Sequence, residues 1–287
     1  MVIVKINGGL GNQMFQYAYA WSIARQRGES ICLDLSMYKY GCGRKFELDK
    51  LQSPRYEVKI FYVKKVKIRW LHLSIRVFEE FIKSVRLIGY RRVNEAVSGI
   101  DKQGMINVKR VYLQGYWIGQ NFFFDCEEDI RRFFKLRNKS KALQSCEKKM
   151  HQEKSVAVHI RRGDYVALNW CIEPMYYKHA IQKMRELIGD NISYYVFTDD
   201  IVYSKSILKE ILEDEEAIYY VGECYELEDI EELFAMAACK HQIIVNSTYS
   251  WWGAWLNDNP DKKVISPKTK NWKQDINPKE WMLIDCF

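Results

Sequence analysis

The alternation of short apolar runs with helix-length segments between residues 155 and 265 constrains this chain more than any other feature. Residues 155–160, 192–198, 217–221, 242–245 and 264–265 read as strands. Helices are expected from Pro174 to the Gly189 stop, and over 204–212, 229–239 and 247–256. Strands separated by helices of about ten to fifteen residues form βαβ units, whose strands lie parallel in one sheet. The first half opens the same way. It offers a strand over 2–6, a turn at Gly8-Gly9-Leu10-Gly11, a helix over 12–27 and a strand over 31–35. A further strand is expected over 111–113 and a helix over 121–134. The polar run 137–154 marks a boundary, giving domains 1–150 and 151–287. The fold class is α/β, with two Rossmann-like halves. Ligands in such sheets sit beyond the C-terminal ends of the strands, so the strand exits are the candidate sites.

Several classes are excluded at once. Apolar residues make up 48% and charged residues 28%, which is globular and not disordered composition. No apolar run approaches the roughly 20 residues that span a bilayer, and with Met1 running straight into a strand no signal peptide is expected. The 8 cysteines include no C-x-x-C pair, so no zinc or redox motif is indicated and thiols in a reducing cytosol are expected. The net charge of +7 is concentrated: residues 59–92 hold ten Lys or Arg against Glu79 and Glu80. Trp70, Ser74, Val77, Phe81 and Val85 recur there at helical spacing. This basic helical insert, bounded at 54–92, either buries its stripe and solvates its charges or lies against anionic lipid or an anionic substrate. Nucleic acid is not indicated, because no nucleic-acid signature is found and the remaining sequence is near neutral.

The first strand exit carries Gly9-Leu10-Gly11-Asn12-Gln13-Met14. A dinucleotide fingerprint needs a small residue where Met14 stands, even though Asp34 closes the next strand. The loop is either a plain helix entry or a glycine turn that presents N–H groups, Asn12 and Gln13 to a polar ligand.

The second exit reads His159-Ile160-Arg161-Arg162-Gly163-Asp164. Two arginines at a strand exit are poor packing material, and each guanidinium fork fits phosphate oxygens bidentately. Asp164 orients an arginine or acts on a proton. A structural Arg–Asp pair and an exposed adhesion-type Arg-Gly-Asp loop are the competing readings. The third exit runs Asn246-Ser247-Thr248-Tyr249-Ser250-Trp251-Trp252. Its hydroxyls suit a phosphate-facing helix start, and its tryptophans are either core or partly sugar-facing. Asp229 opens the preceding helix, either as a cap or as a carboxylate for guanine N–H groups.

Hydrolase-elbow, P-loop and H-E-x-x-H motifs are absent. No two aspartates are separated by one position, so the D-x-D signature of metal-dependent nucleotide-sugar enzymes is missing. A diphosphate leaving group would then be neutralised by Arg161 and Arg162.

These segments together resemble the α-1,2-fucosyltransferases, a group that includes the bacterial enzymes of glycosyltransferase family 11. The α-1,6- and protein-O-fucosyltransferases are more distantly similar. The match rests on residues 8–18, 158–165 and 246–256, supported by Leu113-Gln114-Gly115-Tyr116-Trp117 and Phe197-Thr198-Asp199-Asp200. The resemblance implies a GT-B architecture of two Rossmann-like domains facing across a cleft. It implies GDP-L-fucose as donor, inversion at fucose, no cofactor or metal, and the 2-hydroxyl of a terminal β-galactose as acceptor, on a glycan that can be lipid-linked. Arg161 is expected on the β-phosphate, with His159, Arg162, Asp229, Asn246, Ser247, Thr248 and Ser250 around the donor. Asn12 is expected near the reacting centre, with Gln13, Tyr116 and Trp117 on the acceptor side. Asp164 is the first choice for a base and Glu173 the second; no base is needed if departure of the leaving group runs ahead of attack. The implied location is the bacterial cytoplasm, with peripheral contact to the inner face of the plasma membrane through 59–92.

Overall fold

The computed structural model describes residues 1–39, 43–52, 56–59, 89–94, 108–212, 216–270, 272 and 274–286. The chain divides into two compact units, Met1–Phe133 and Phe134–Phe287. Its strands are β1 (Val2–Lys5), β2 (Ile31–Asp34), β3 (Glu57–Lys59), β4 (Arg91–Asn94), β5 (Val111–Gln114), β6 (Ser155–Ile160), β7 (Ser193–Thr198), β8 (Ala217–Tyr220), β9 (His241–Ile243), β10 (Val264–Lys268) and β11 (Met282–Asp285). The described helices are α1 (Leu10–Arg27), α2 (Ser36–Lys39), α3 (Glu127–Phe133), α4 (Lys141–Gln152), α5 (Gly163–Leu168), α6 (Pro174–Ile188), α7 (Ile201–Ile211), α8 (Val221–Cys224), α9 (Asp229–Ala238) and α10 (Thr248–Leu256).

The first unit holds a parallel sheet in the order β3-β2-β1-β5-β4. Helix α1 buries most of its length, from Leu10 to Ala24, and stops at Gly28. Gly28 takes a left-handed φ of 62°, and its N–H reaches the carbonyls of Ala24 and Arg25. The switch in strand order falls between β1 and β5. The glycine turn and the segment 114–117 leave the sheet there, and ligands bind at such points.

The second unit holds a parallel six-stranded sheet in the order β11-β10-β9-β6-β7-β8. Numbered within the unit and read from β8, this is 3-2-1-4-5-6, the doubly wound order. Every residue of β6 is buried, as a central parallel strand covered on both faces requires. The switch in order lies between β6 and β9, so their exits flank the expected crevice.

The two-unit α/β expectation holds, with corrections in detail. The compact units divide between Phe133 and Phe134, ahead of the expected boundary at 150. The polar run 137–154 is not a linker, because it contains α4. Ser140 caps that helix by accepting from the Leu143 N–H at 3.0 Å, and its own N–H bonds Glu231 Oε1 at 2.8 Å, tying the helix to α9. Leu143, Cys146 and Met150 are the buried stripe. The ends of the supposed insert are strands, since Lys59 closes β3 and Arg91 opens β4. Residues 60–88 and 95–107 lie outside the described residues, so the basic helix and its lipid contact do too. No helix among the described residues is long and apolar enough to cross a membrane.

Candidate active site

The exits of β6 and β9 bring the predicted donor-side residues together. His159 is only 5% exposed, and its Nδ1 has no hydrogen-bond partner. Burial, and then the nearby Arg161 charge, push its pKa down to about 3. The imidazole of the free protein is therefore held neutral. Its ring lies 6.0 Å from that of Tyr249.

Arg161 leaves the strand next. Its Nη2 donates to Asp164 Oδ1 at 2.6 Å, and its guanidinium carbon sits 4.9 Å from the Tyr165 ring centroid. Burial works against its charge, but the Asp164 hydrogen bond and the neighbouring carboxylates outweigh that and raise its pKa. Arg162 lies over the Tyr203 ring at 3.7 Å. Its Nε is 3.3 Å from Asp200 Oδ2, close enough for an ion pair but not aligned as a hydrogen bond. Asp200 also caps α7, accepting from the Tyr203 N–H at 3.0 Å.

Asp199 explains Gly163. Its Oδ1 accepts from the N–H groups of Arg162 at 2.7 Å and Gly163 at 3.2 Å. A Cβ at Gly163 would stand 2.7 Å from Asp199 Oδ2. The carboxylate thus holds the first turn of α5 and the backbone of Arg162 at the strand exit. This clamp is incompatible with a flexible adhesion loop. Asp164 itself is exposed and bonded to Arg161, so the geometry joins the orienting role to it directly.

At the β9 exit, Asn246 Nδ2 donates to the Trp170 carbonyl at 3.0 Å while its Oδ1 is buried without a partner. The Tyr165 hydroxyl donates to the Asn246 carbonyl at 3.0 Å, linking the two exits. Ser247 caps α10 by accepting from the Tyr249 N–H at 3.3 Å, and Thr248 stands half-buried beside it. Ser250 points inward: it is fully buried and donates to the Ser247 carbonyl at 3.4 Å. The donor-contact expectation for Ser250 therefore does not fit its position. Trp251, Trp252 and Trp255 are core, not sugar-facing.

Asp229 is also not a cap. Glu228 takes that place through a reciprocal pair with Glu231, and Asp229 is an exposed first-turn residue. The carboxylate that sequence reasoning missed is Glu232, one turn further into α9. It is half-buried, and burial, then the Asp229 charge, push its pKa up to about 7. The Tyr249 hydroxyl donates to the Asp229 carbonyl, which sets this turn of α9 against the start of α10. An acidic run at a helix start was the only sequence signal.

In the first unit the glycine turn is tightly built. Gly8 has a φ of 78°, and a Cβ on it would meet Asn12 Nδ2 at 2.6 Å. Asn12 is half-buried beside it. Gln13 is fully buried and spent on backbone: Nε2 donates to Lys45 O at 2.7 Å and Gly8 O at 3.2 Å, and Oε1 accepts from Glu47 N at 3.0 Å. It supports the loop, so an acceptor-binding role does not fit it. Gln16 joins the two exits, bonding Asn7 and the Gly115 carbonyl. Asp34 accepts from Ser36 and from the Tyr112 hydroxyl, which leaves it unavailable to a ribose and removes the dinucleotide reading. Trp117 is 1% exposed and stacks on Tyr19 at 4.8 Å, so it is core; Tyr116 is the exposed aromatic of the pair.

The family described as glycosyl transferase family 11 matches residues 1–285. An alpha-1,2-colitosyltransferase of Escherichia coli is 30% identical over 298 residues, covering 99% of both chains. The O-antigen biosynthesis glycosyltransferase WbnK of Escherichia coli is 30% identical over 311 residues, covering 96% of this chain and 98% of its own. Among solved structures, NodZ α-1,6-fucosyltransferase soaked with GDP-fucose superposes with a TM-score of 0.52 at 14% identity, covering 94% and 96% of the two chains. An arginine-to-lysine mutant of Arabidopsis thaliana FUT1 in complex with GDP gives 0.54 at 10% identity, covering 96% of this chain and 72% of its own. These likenesses establish the fold as the GT-B type.

Proposed function

The chain belongs to glycosyl transferase family 11 and is a glycosyltransferase, and from that premise we propose that it transfers L-fucose, with inversion, from GDP-β-L-fucose to the 2-hydroxyl of a terminal β-galactose. One observation carries the reading. Four buried polar atoms without hydrogen-bond partners, on His159, Arg161, Arg162 and Asn246, sit on the two exits that flank the switch point of the second sheet. A buried polar group left unbonded costs about 1–3 kcal/mol, and four of them gathered at one crevice favour a ligand that completes them.

A nucleoside diphosphate answers that need. Arg161 and Arg162 carry fixed charge against the β-phosphate, where negative charge grows as the fucosyl bond breaks. Loss of one preorganised donor of this kind costs on the order of 100- to 1000-fold in rate. Guanidinium neutralisation makes a metal unnecessary in this scheme. Ser247 and Thr248 lie at the start of α10, where an anion is favoured. Glu232, and not Asp229, accepts the guanine N–H pair. His159 contributes a neutral imidazole. Asp164 is a positioning residue for Arg161. Glu173, exposed at the start of α6 and unused in capping, is the remaining carboxylate for the acceptor proton; a Glu173→Gln variant with unchanged kcat removes that role. Asn12 acts at the reacting centre, and Tyr116 remains on the acceptor side. The Escherichia coli relative named for O-antigen biosynthesis supports a cell-surface glycan as acceptor.

The relative named as a colitosyltransferase favours a second donor. Colitose is fucose without its 3-hydroxyl, so the diphosphate chemistry is the same and only one sugar contact differs. Turnover of GDP-fucose against GDP-colitose separates the two. Arg161→Ala is the test of the shared mechanism: transfer is lost while the urea-unfolding midpoint is kept. Unchanged turnover in that variant refutes it.

A further inference from the structure

Exposed apolar side chains are not scattered evenly on this chain. Of the nine large ones among the described residues, four lie between 166 and 175: Val166, Leu168, Trp170 and Met175. Val166 and Leu168 belong to the end of α5, Trp170 to its connection to α6 and Met175 to the first turn of α6, all soon after the arginines. Helix α5 buries none of its residues. Isolated exposed apolar residues need no explanation, but four within ten residues beside a site do.

Trp170 is the centre of this group, and it is held rigidly although 41% exposed. Its N–H donates to the Tyr165 carbonyl at 3.0 Å, and its own carbonyl accepts from Asn246 Nδ2 at 3.0 Å. Asn169 before it adopts a left-handed φ of 55° and closes the helix with its N–H on the Tyr165 and Val166 carbonyls. The indole meets the Tyr165 ring edge-on at 5.7 Å, and that ring lies 4.9 Å from the Arg161 guanidinium carbon. Two ring steps therefore separate Trp170 from the phosphate-binding arginine. The indole therefore lies next to the donor site, with Tyr165 between the two.

We propose that Trp170 is a stacking platform for the acceptor sugar, with the α5–α6 connection forming the apolar wall of that subsite. The indole face carries negative potential and attracts the partly positive C–H bonds of a pyranose. β-Galactose has such a face, because its axial 4-hydroxyl leaves carbons 3 to 5 bare on one side. Asn246 and Tyr165 hold the Trp170 backbone and the Tyr165 ring meets the indole edge-on, so stacking costs little ordering. Asn246 thereby couples the platform to the donor pocket, where its other amide atom is unpartnered. This inference rests on the galactoside-transfer reading above and adds the subsite that reading lacked.

The test uses the full chain with lactose as acceptor and GDP-fucose as donor. Trp170→Ala raises the KM for lactose about tenfold, within the range an aromatic contact supplies. Its kcat at saturation stays within about twofold, and the Kd for GDP is unchanged. Trp170→Phe restores most of the loss. Saturation-transfer NMR on lactose shows the galactose H3, H4 and H5 signals weakened in the alanine variant. An unchanged KM overturns the platform, and so does a weakened GDP affinity, which assigns the ring to the nucleotide. Failure of the wild-type protein to use any galactoside while still binding GDP counts against the function reading, and not against Trp170 alone.

Discussion

Glu232→Gln tests the proposed guanine contact apart from every other part of the donor site, because the carboxyl carries its own pH signature. In the free protein its pKa is pushed up to about 7, by burial first and by Asp229 second. Guanine offers two N–H donors, which bond the ionised form. Binding therefore lowers the pKa and releases a proton. With a bound-state pKa well below 6, the apparent Kd for GDP carries a factor of one plus ten to the power of pKa minus pH. That factor is about 11 at pH 6 and about 1.1 at pH 8, so affinity improves about tenfold across the range. GDP has its own ionisation near pH 6, but wild type and variant share it, and their ratio isolates Glu232. At pH 8 the variant binds GDP about tenfold or more weakly, as loss of a charged hydrogen bond requires; at pH 6 most of the gap closes. The same substitution changes stability without ligand. A carboxyl whose pKa is raised on folding favours the folded state fully below its unfolded value of 4.5, and that advantage is lost as pH rises through 7. Glu232→Gln removes this loss and stabilises the apo protein at pH 8 by about 2–3 kcal/mol. Titration calorimetry with GDP from pH 6 to 8, in two buffers, reads both Kd and proton release. Parallel pH profiles for the two proteins, with no difference in proton release, refute the assignment.

Gly163→Ala forces Asp199 off the start of α5 and breaks its bonds to the Arg162 and Gly163 N–H groups. It should cost about 2–4 kcal/mol in urea unfolding and weaken GDP binding in step; a change under about 0.5 kcal/mol contradicts the clamp. Gln13→Ala strips three bonds from the glycine loop and the 45–47 strap. The expected result is a loss of about 2–3 kcal/mol in stability, and a selective rise in acceptor KM without it would restore the binding role. Acid should unfold the protein early. His159 and His241 have pKa values lowered to about 3 and about 4, mainly by burial, so below pH 6.5 the unfolded chain binds protons that the folded chain refuses. Stability then falls by about 1.4 kcal/mol per pH unit for each histidine as pH drops from 6.5 toward 4. Urea midpoints in the Glu232→Gln background, where the opposing slope is absent, read this directly; a flat profile from pH 7 to 5 contradicts it.

Strand β6, which carries the site, was legible because it is fully buried and apolar at Val156, Ala157, Val158 and Ile160. The strands that were not legible are short and lie at sheet edges. Arg91-Arg92-Val93-Asn94 buries only Val93, and its charges read as surface. Helix α4 was hidden by its overall polarity, although Ser140 and the spacing of Leu143, Cys146 and Met150 marked it. The paired arginines were legible at a strand exit from residue type and position alone, and the structure places both there. Gln13 and Trp117 misled for one physical reason. A buried amide and an aromatic at a strand exit look identical in sequence whether their partner is a ligand or a distant part of the chain. Here the partners are the 45–47 backbone and the Tyr19 ring. Glu232 was passed over because nothing local distinguishes it from Asp229; only packing shows which of the two is desolvated.

The central claim is that the second unit holds a GDP-sugar whose diphosphate is neutralised by arginine while a galactose hydroxyl attacks. GDP release from GDP-fucose in the presence of EDTA, measured with lactose, lacto-N-biose and N-acetyllactosamine, tests it most directly. The account predicts acceptor-dependent release and a product destroyed by α-1,2-fucosidase. Release that requires a divalent metal, or a product resistant to that enzyme, would contradict it.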